Sequence, residues 1–261
     1  MACTRWNCRR RSWSAWSIPP IAACSRRPDM PRAQAGRDDA QPTLRARGPS
    51  RTRIPQVPEG TAPEPAGSGL AAIREAAAYC KRCDLWRPAT QTVFGEGPAR
   101  ARVVLVGEQL GDREDIADRP FVGPAGRLLD QALAELGIDR DRLYLTNAVK
   151  HVKFEPRGKA RIHTSPTPAE QKACHLWRER ELAAIRPRVV VALGAIGAKA
   201  VFGAKFGLMR PRGQWQELPD GRRGFATVHP SWVLRQRDSG SREQAYRSFR
   251  DDLALLADLD D

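Results

Sequence analysis

From about residue 67 onward, apolar positions alternate between short unbroken runs and helical stripes. Ala101-Arg-Val-Val-Leu-Val-Gly107, Leu143-Tyr-Leu-Thr-Asn147, Val189-Val-Val-Ala-Leu-Gly194 and Phe225-Ala-Thr-Val228 are brief and mostly apolar. Runs of that length without strict alternation predict strands buried on both faces. Between the first two, Leu128, Leu129, Leu133 and Leu136 recur at helical spacing over residues 124–136. Thr167-Pro168-Ala-Glu170 opens an amphipathic helix reaching about Ile185, with proline at a favoured first-turn position. Ala195 to Phe202 and residues 241–257 read as further helices, and Ser68 is a candidate N-cap for a helix running to Tyr79. Strands alternating with helices predict an α/β fold, a parallel sheet within a three-layer α/β/α sandwich. Ligands of such sheets bind beyond the carboxyl ends of the strands.

Residues 1–66 show no comparable period. They hold 12 Arg, no Lys and 5 acidic groups, and are rich in proline. The expectation is a disordered basic extension ahead of a folded domain over 67–261, with Met30 as an alternative start. A nucleic-acid-binding arm and an Arg-rich targeting peptide are the other readings of this segment. The whole chain of 261 residues carries a net charge of +14. That excess makes a polyanion the first partner to consider, nucleic acid ahead of a membrane surface. No window approaches the apolar length of a membrane span, and the N-terminus lacks the pattern of a secretory signal, so the cytoplasm is the default compartment. Of six cysteines, Cys80, Cys83 and Cys174 fall in the folded part. Three thiols there suggest metal or redox chemistry rather than a disulfide framework.

The strand ends carry the candidate chemistry. Gly107-Glu108-Gln109-Leu110-Gly111-Asp112 follows the first strand, Asn147 ends the second, and His229-Pro230-Ser231 follows the fourth. A carboxylate, an amide and an imidazole thus converge on one crevice, and His229 is one of only four histidines.

These stretches, together with Arg119-Pro-Phe121-Val-Gly-Pro-Ala-Gly126 and Thr146-Asn147-Ala-Val-Lys150, resemble the motifs of family-4-type uracil-DNA glycosylases, and more closely the UdgX branch. The resemblance covers roughly residues 70–256. It implies a four-stranded parallel sheet, a 4Fe-4S cluster and removal of uracil from DNA. It assigns Phe121 to stacking on the base, Asn147 to the uracil N3–H and O4 edge, His229 to a hydrogen bond with the departing O2, and Glu108 to the sugar. Gly107, Gln109, Gly111, Asp112, Arg161 and Ser231 complete the expected substrate-binding set.

Two features depart from the common family-4 pattern. The position expected to hold the third cluster cysteine is His151, so Cys80, Cys83, His151 and Cys174 are the implied ligands. Between His151 and Thr167 lies a basic, Gly158-containing insertion with an Arg161-Ile-His163 signature similar to a UdgX loop. In that branch the histidine attacks C1′ after uracil departs and stays attached to the DNA. The branch usually has proline where this chain has Leu110. The expected protein is therefore a monomeric glycosylase acting on uracil-containing DNA, preferably single-stranded, that ends in a covalent adduct through His163. Lys150, Lys153, Arg157, Lys159 and Arg161 are the expected phosphate contacts. A turnover glycosylase, and a non-catalytic single-stranded DNA-binding module, are the rival readings.

Overall fold

The computed structural model describes residues 56–158 and 160–259. The expectations for residues 1–55 and for Lys159 lie outside these residues. Within the described part of the N-terminal segment, Gly60 and Thr61 exchange backbone hydrogen bonds with Lys81.

In chain order the elements are α1 (Leu70–Ala77), β1 (Val103–Gly107), α2 (Asp112–Ala117), α3 (Pro124–Glu135), β2 (Leu143–Asn147), β3 (Phe154–Arg157), β4 (Ala160–His163), α4 (Pro168–Ile185), β5 (Val189–Leu193), α5 (Gly194–Phe202), β6 (Gln216–Glu217), β7 (Arg223–Thr227), α6 (Pro230–Leu234) and α7 (Ser239–Leu253). The main sheet runs β2-β1-β5-β7-β6, with β1, β2, β5 and β7 parallel. Successive side chains of β1 serve opposite faces. Val103 and Leu105 pack with α3, α6 and α7, whereas Val104 and Val106 pack with α4 and α5. This is why the strands read as unbroken apolar runs: every residue of β1, β2 and β5 is buried.

The sheet has five strands, not the four implied by resemblance. The extra strand, β6, contributes two residues antiparallel to the edge of β7 through a turn containing Gly221. It buries no apolar run and so leaves no periodic signal. Ser68 is not a cap, because α1 starts one residue later behind Gly69, without a side-chain bond. At α4 the expected start holds: the Thr167 hydroxyl accepts from the Glu170 N–H and the Glu170 carboxylate accepts from the Thr167 N–H. The basic insertion is not a plain loop but an antiparallel hairpin, β3–β4, pairing Phe154 with His163 around a turn at Gly158. Among the described residues no helix is long and apolar enough to cross a membrane.

Candidate active site

The register pairs Gly107 with Asn147 at the carboxyl ends of β1 and β2. A Cβ on Gly107 would stand 2.3 Å from Asn147 Oδ1 and 2.8 Å from Phe121 Cζ, so only glycine lets the amide and the ring meet there. Phe121 itself has φ 57°, a left-handed backbone that a bulky residue adopts only when its surroundings demand it. Its ring is buried in the core and also faces the cleft.

His229 leaves β7 as the N-cap of α6. It rests on Gly194, whose φ is 83° and whose Cβ would lie 2.8 Å from that of His229. The Ser231 backbone N–H donates to His229 Nδ1 at 3.2 Å, so Nδ1 is an acceptor and the ring proton sits on Nε2. Arg235 donates to the Ser231 hydroxyl at 3.0 Å, and that hydroxyl is 2.7 Å from Nδ1. Burial, reinforced by the Arg235 and His163 charges, pushes the imidazole pKa down to about 4. At neutral pH this ring is therefore uncharged, with a single N–H donor.

A cleft of about 670 Å³ opens over these strand ends. Glu108, Gln109, Gly111, Phe121, Asn147, Arg161, His163, His229 and Ser231 all line it. Gly107 and Asp112 do not: the first gives Asn147 and Phe121 their room, and the second heads α2 and pairs with Arg161 at 2.8 Å. A larger cavity of about 1020 Å³, beside α1 and α4, contains none of the strand-end residues, so size alone does not mark the site. Glu108 Oε1 is buried without a hydrogen-bond partner among the described residues. Glu114, Ser165 and Arg235 also line the cleft. Glu114 accepts from the Gly123 N–H at 2.7 Å and comes from α2, a six-residue charged helix without a clear apolar stripe.

Two polar tethers hold the hairpin. The Lys153 N–H donates to Gln109 Oε1 at 3.1 Å, which turns the Gln109 amide nitrogen toward His163 Nε2 at 2.7 Å and the Thr164 carbonyl at 2.6 Å. His163 Nε2 is accordingly an acceptor. Arg161 pairs with Asp112 and, at 2.6 Å, with Asp115, and its guanidinium lies over Phe154. Of the expected phosphate contacts, one is corrected, because Lys150 does not reach the surface. Lys150 is fully buried against Glu181, and Lys153 is paired with Glu170 at 2.9 Å. Arg157 remains exposed.

On the far side of β2, Cys80 and Cys174 are buried in one cluster with Cys83 packed against it, and all three are free thiols. Burial raises the Cys174 pKa to about 12 against the pull of Lys150, and the neighbouring Cys80 and Cys83 raise it further. Cys80 and His151 both line a cavity of about 200 Å³. Burial drives the His151 pKa down to about 4, opposed by Asp115, leaving a neutral ring. Its Nε2 meets the Thr92 hydroxyl at 2.8 Å, whereas Nδ1 is buried with no hydrogen-bond partner among the described residues. An orphaned neutral imidazole nitrogen lining the same cavity as the Cys80 thiol is a donor that suits iron. No three such side chains among the described residues converge as a single metal ion requires. A cluster differs, because each ligand binds its own iron atom.

The profile of the uracil DNA glycosylase superfamily matches residues 94–254. The chain is 38% identical to the type-4 uracil-DNA glycosylase of Thermotoga maritima over 168 residues, covering 64% of this chain and 84% of that protein. It is 36% identical to the type-4 enzyme of Sulfurisphaera tokodaii over 173 residues, covering 63% and 76%. A type-5 uracil-DNA glycosylase of Thermus thermophilus is 36% identical over 183 residues, covering 62% and 80%. With its strand-end residues assembled in one cleft, the chain belongs to the uracil DNA glycosylase superfamily.

Proposed function

We propose that this protein is a uracil-DNA glycosylase of UdgX type, which removes uracil from DNA, preferring single strands, and keeps the abasic sugar on His163. A base stacked and paired within a duplex cannot enter such a cleft, so the substrate is a flipped or unpaired nucleotide. Breaking the bond between C1′ and uracil N1 leaves the electron pair on the base and positive charge on the sugar. His229 is suited to the first charge, because its Nε2–H donor is fixed in direction and belongs to a neutral ring. Asn147 has both the donor and the acceptor that the uracil edge requires, and Phe121 offers its ring as a platform. The Glu108 carboxylate supports the cationic sugar.

The observation that carries the covalent step is the position of His163. It lines the cleft that also holds Glu108, Asn147 and His229. With Nε2 accepting from Gln109, its proton is on Nδ1. Once Nε2 is released from Gln109, its lone pair forms the bond to C1′, and the Nδ1 proton passes to Glu108, directly or through water. Cys80, Cys83, Cys174 and His151 would hold a 4Fe-4S cluster. When bound, it supplies bonds that tie the segment after α1 to α4 and to the end of β2; glycosidic cleavage itself moves no electrons. Counting free uracil under excess substrate tests the reading. One equivalent per protein chain supports it; many equivalents favour a turnover enzyme, and none favours a binding module.

A further inference from the structure

Lys150 was expected at the protein surface, yet its side chain is fully buried and spends all three ammonium donors inside the protein. They go to Glu181, the Thr146 hydroxyl and, at 3.0 Å, the backbone carbonyl of Asn147. Glu181, equally buried on α4, also accepts from the Gly95 N–H at 2.9 Å and from the Tyr144 hydroxyl at 3.0 Å. The end of β2 is therefore hung from α4 through one ion pair. Two turns earlier on the same helix, Cys174 Sγ accepts from the Lys150 backbone N–H at 3.2 Å. A buried pair of this kind is seldom needed for stability, since well-packed apolar residues serve as well. Here it performs what apolar packing cannot, gripping a carbonyl oxygen from a fixed direction.

We infer that Lys150, held by Glu181, is a positioning residue that sets the Asn147 backbone and so aims its amide at the uracil edge. The inference rests on Asn147 reading uracil. It goes beyond that reading by assigning part of the selectivity to a side chain that never touches the base.

The test is a cycle on the full chain combining the paired change Lys150→Met/Glu181→Gln, which leaves no unpaired buried charge, with Asn147→Ala. The paired variant is expected to need about tenfold more uracil-containing oligonucleotide for half-maximal single-turnover excision. Its affinity for a uracil-free oligonucleotide of the same sequence should stay within about twofold of the parent. In the Asn147→Ala background the same pair should cause no further loss. An equal loss in both backgrounds, a matching loss for uracil-free DNA, or an unchanged uracil requirement would overturn the role of Lys150. If Asn147→Ala alone had no effect, the uracil-reading assignment would fall, and this inference with it. Should the paired variant lack a cooperative melting transition, Thr146→Val removes one Lys150 acceptor while leaving the charges paired. It should then shift uracil affinity in the same direction by a few fold, and only when Asn147 is present; no shift would overturn the inference.

Discussion

Every residue of β2 is buried, and Asn147 at its end is 4% exposed, whereas three of the four residues of β4, His163 among them, are exposed. Both elements send side chains into the same cleft. Asn147, Phe121 and His229 are placed by core packing, by glycine contacts and by backbone hydrogen bonds. His163 is placed by Gln109 and by the Arg161 pairs. The two regions therefore suit two different tasks. Recognising uracil and loosening its bond require groups fixed before substrate arrives. Capturing the sugar afterwards requires a group that can leave one partner and approach another.

The largest effect expected from this contrast is on stability. Lys150→Met alone leaves the Glu181 carboxylate buried without its cation and should cost about 3–5 kcal/mol, read from urea unfolding. If Arg161→Ala, on the hairpin, cost as much, the two regions would not differ in the way described. Next, Asn147→Asp should slow single-turnover excision roughly 10–100-fold, for a lost buried polar pairing of about 1–3 kcal/mol. Unchanged excision would remove Asn147 from the base-reading set.

The pH dependence follows from His229. Its folded pKa, near 4, lies below the ordinary 6.5, so as pH falls the unfolded chain takes up a proton first. The stability associated with the neutral ring is complete above about pH 6.5 and is lost as pH falls toward about 4. Excision should accordingly hold steady through mildly acidic buffers and fail only near pH 4, and the His229→Gln variant should lose this limb. A midpoint near 6.5 in the parent would mean that the ring is solvated. The smallest effect belongs to the hairpin. His163→Ser should alter unfolding free energy by less than about 0.5 kcal/mol, because the side chain is exposed and tethered by one amide.

The same contrast explains what could be read in the chain of residues. The four parallel strands announce themselves because burial on both faces demands unbroken apolar runs, and their ends point to Glu108, Asn147 and His229 without further help. The hairpin, α2 and β6 do not, since each is short, polar and held by contacts with residues distant in the chain. Lys150 was misread for a related reason: its charge is visible in the sequence, but its partner stands 31 positions away on another element. The three cysteines stand out by their number and placement, which already suggest metal or redox chemistry. His163 and His151 are singled out only through resemblance in motif, because neither periodicity nor charge distinguishes these histidines from ordinary surface and core residues.

The central claim is that a fixed sheet breaks the glycosidic bond and a hairpin histidine captures the product. A denaturing gel of the protein with a labelled single-stranded uracil oligonucleotide tests it directly, with free uracil measured from the same reactions. The parent should give a shifted band that survives heat and detergent, and His163→Ser should lose that band while still releasing uracil and leaving abasic DNA. A parent protein that releases uracil repeatedly without any shifted band, or an adduct that persists in His163→Ser, would contradict the account.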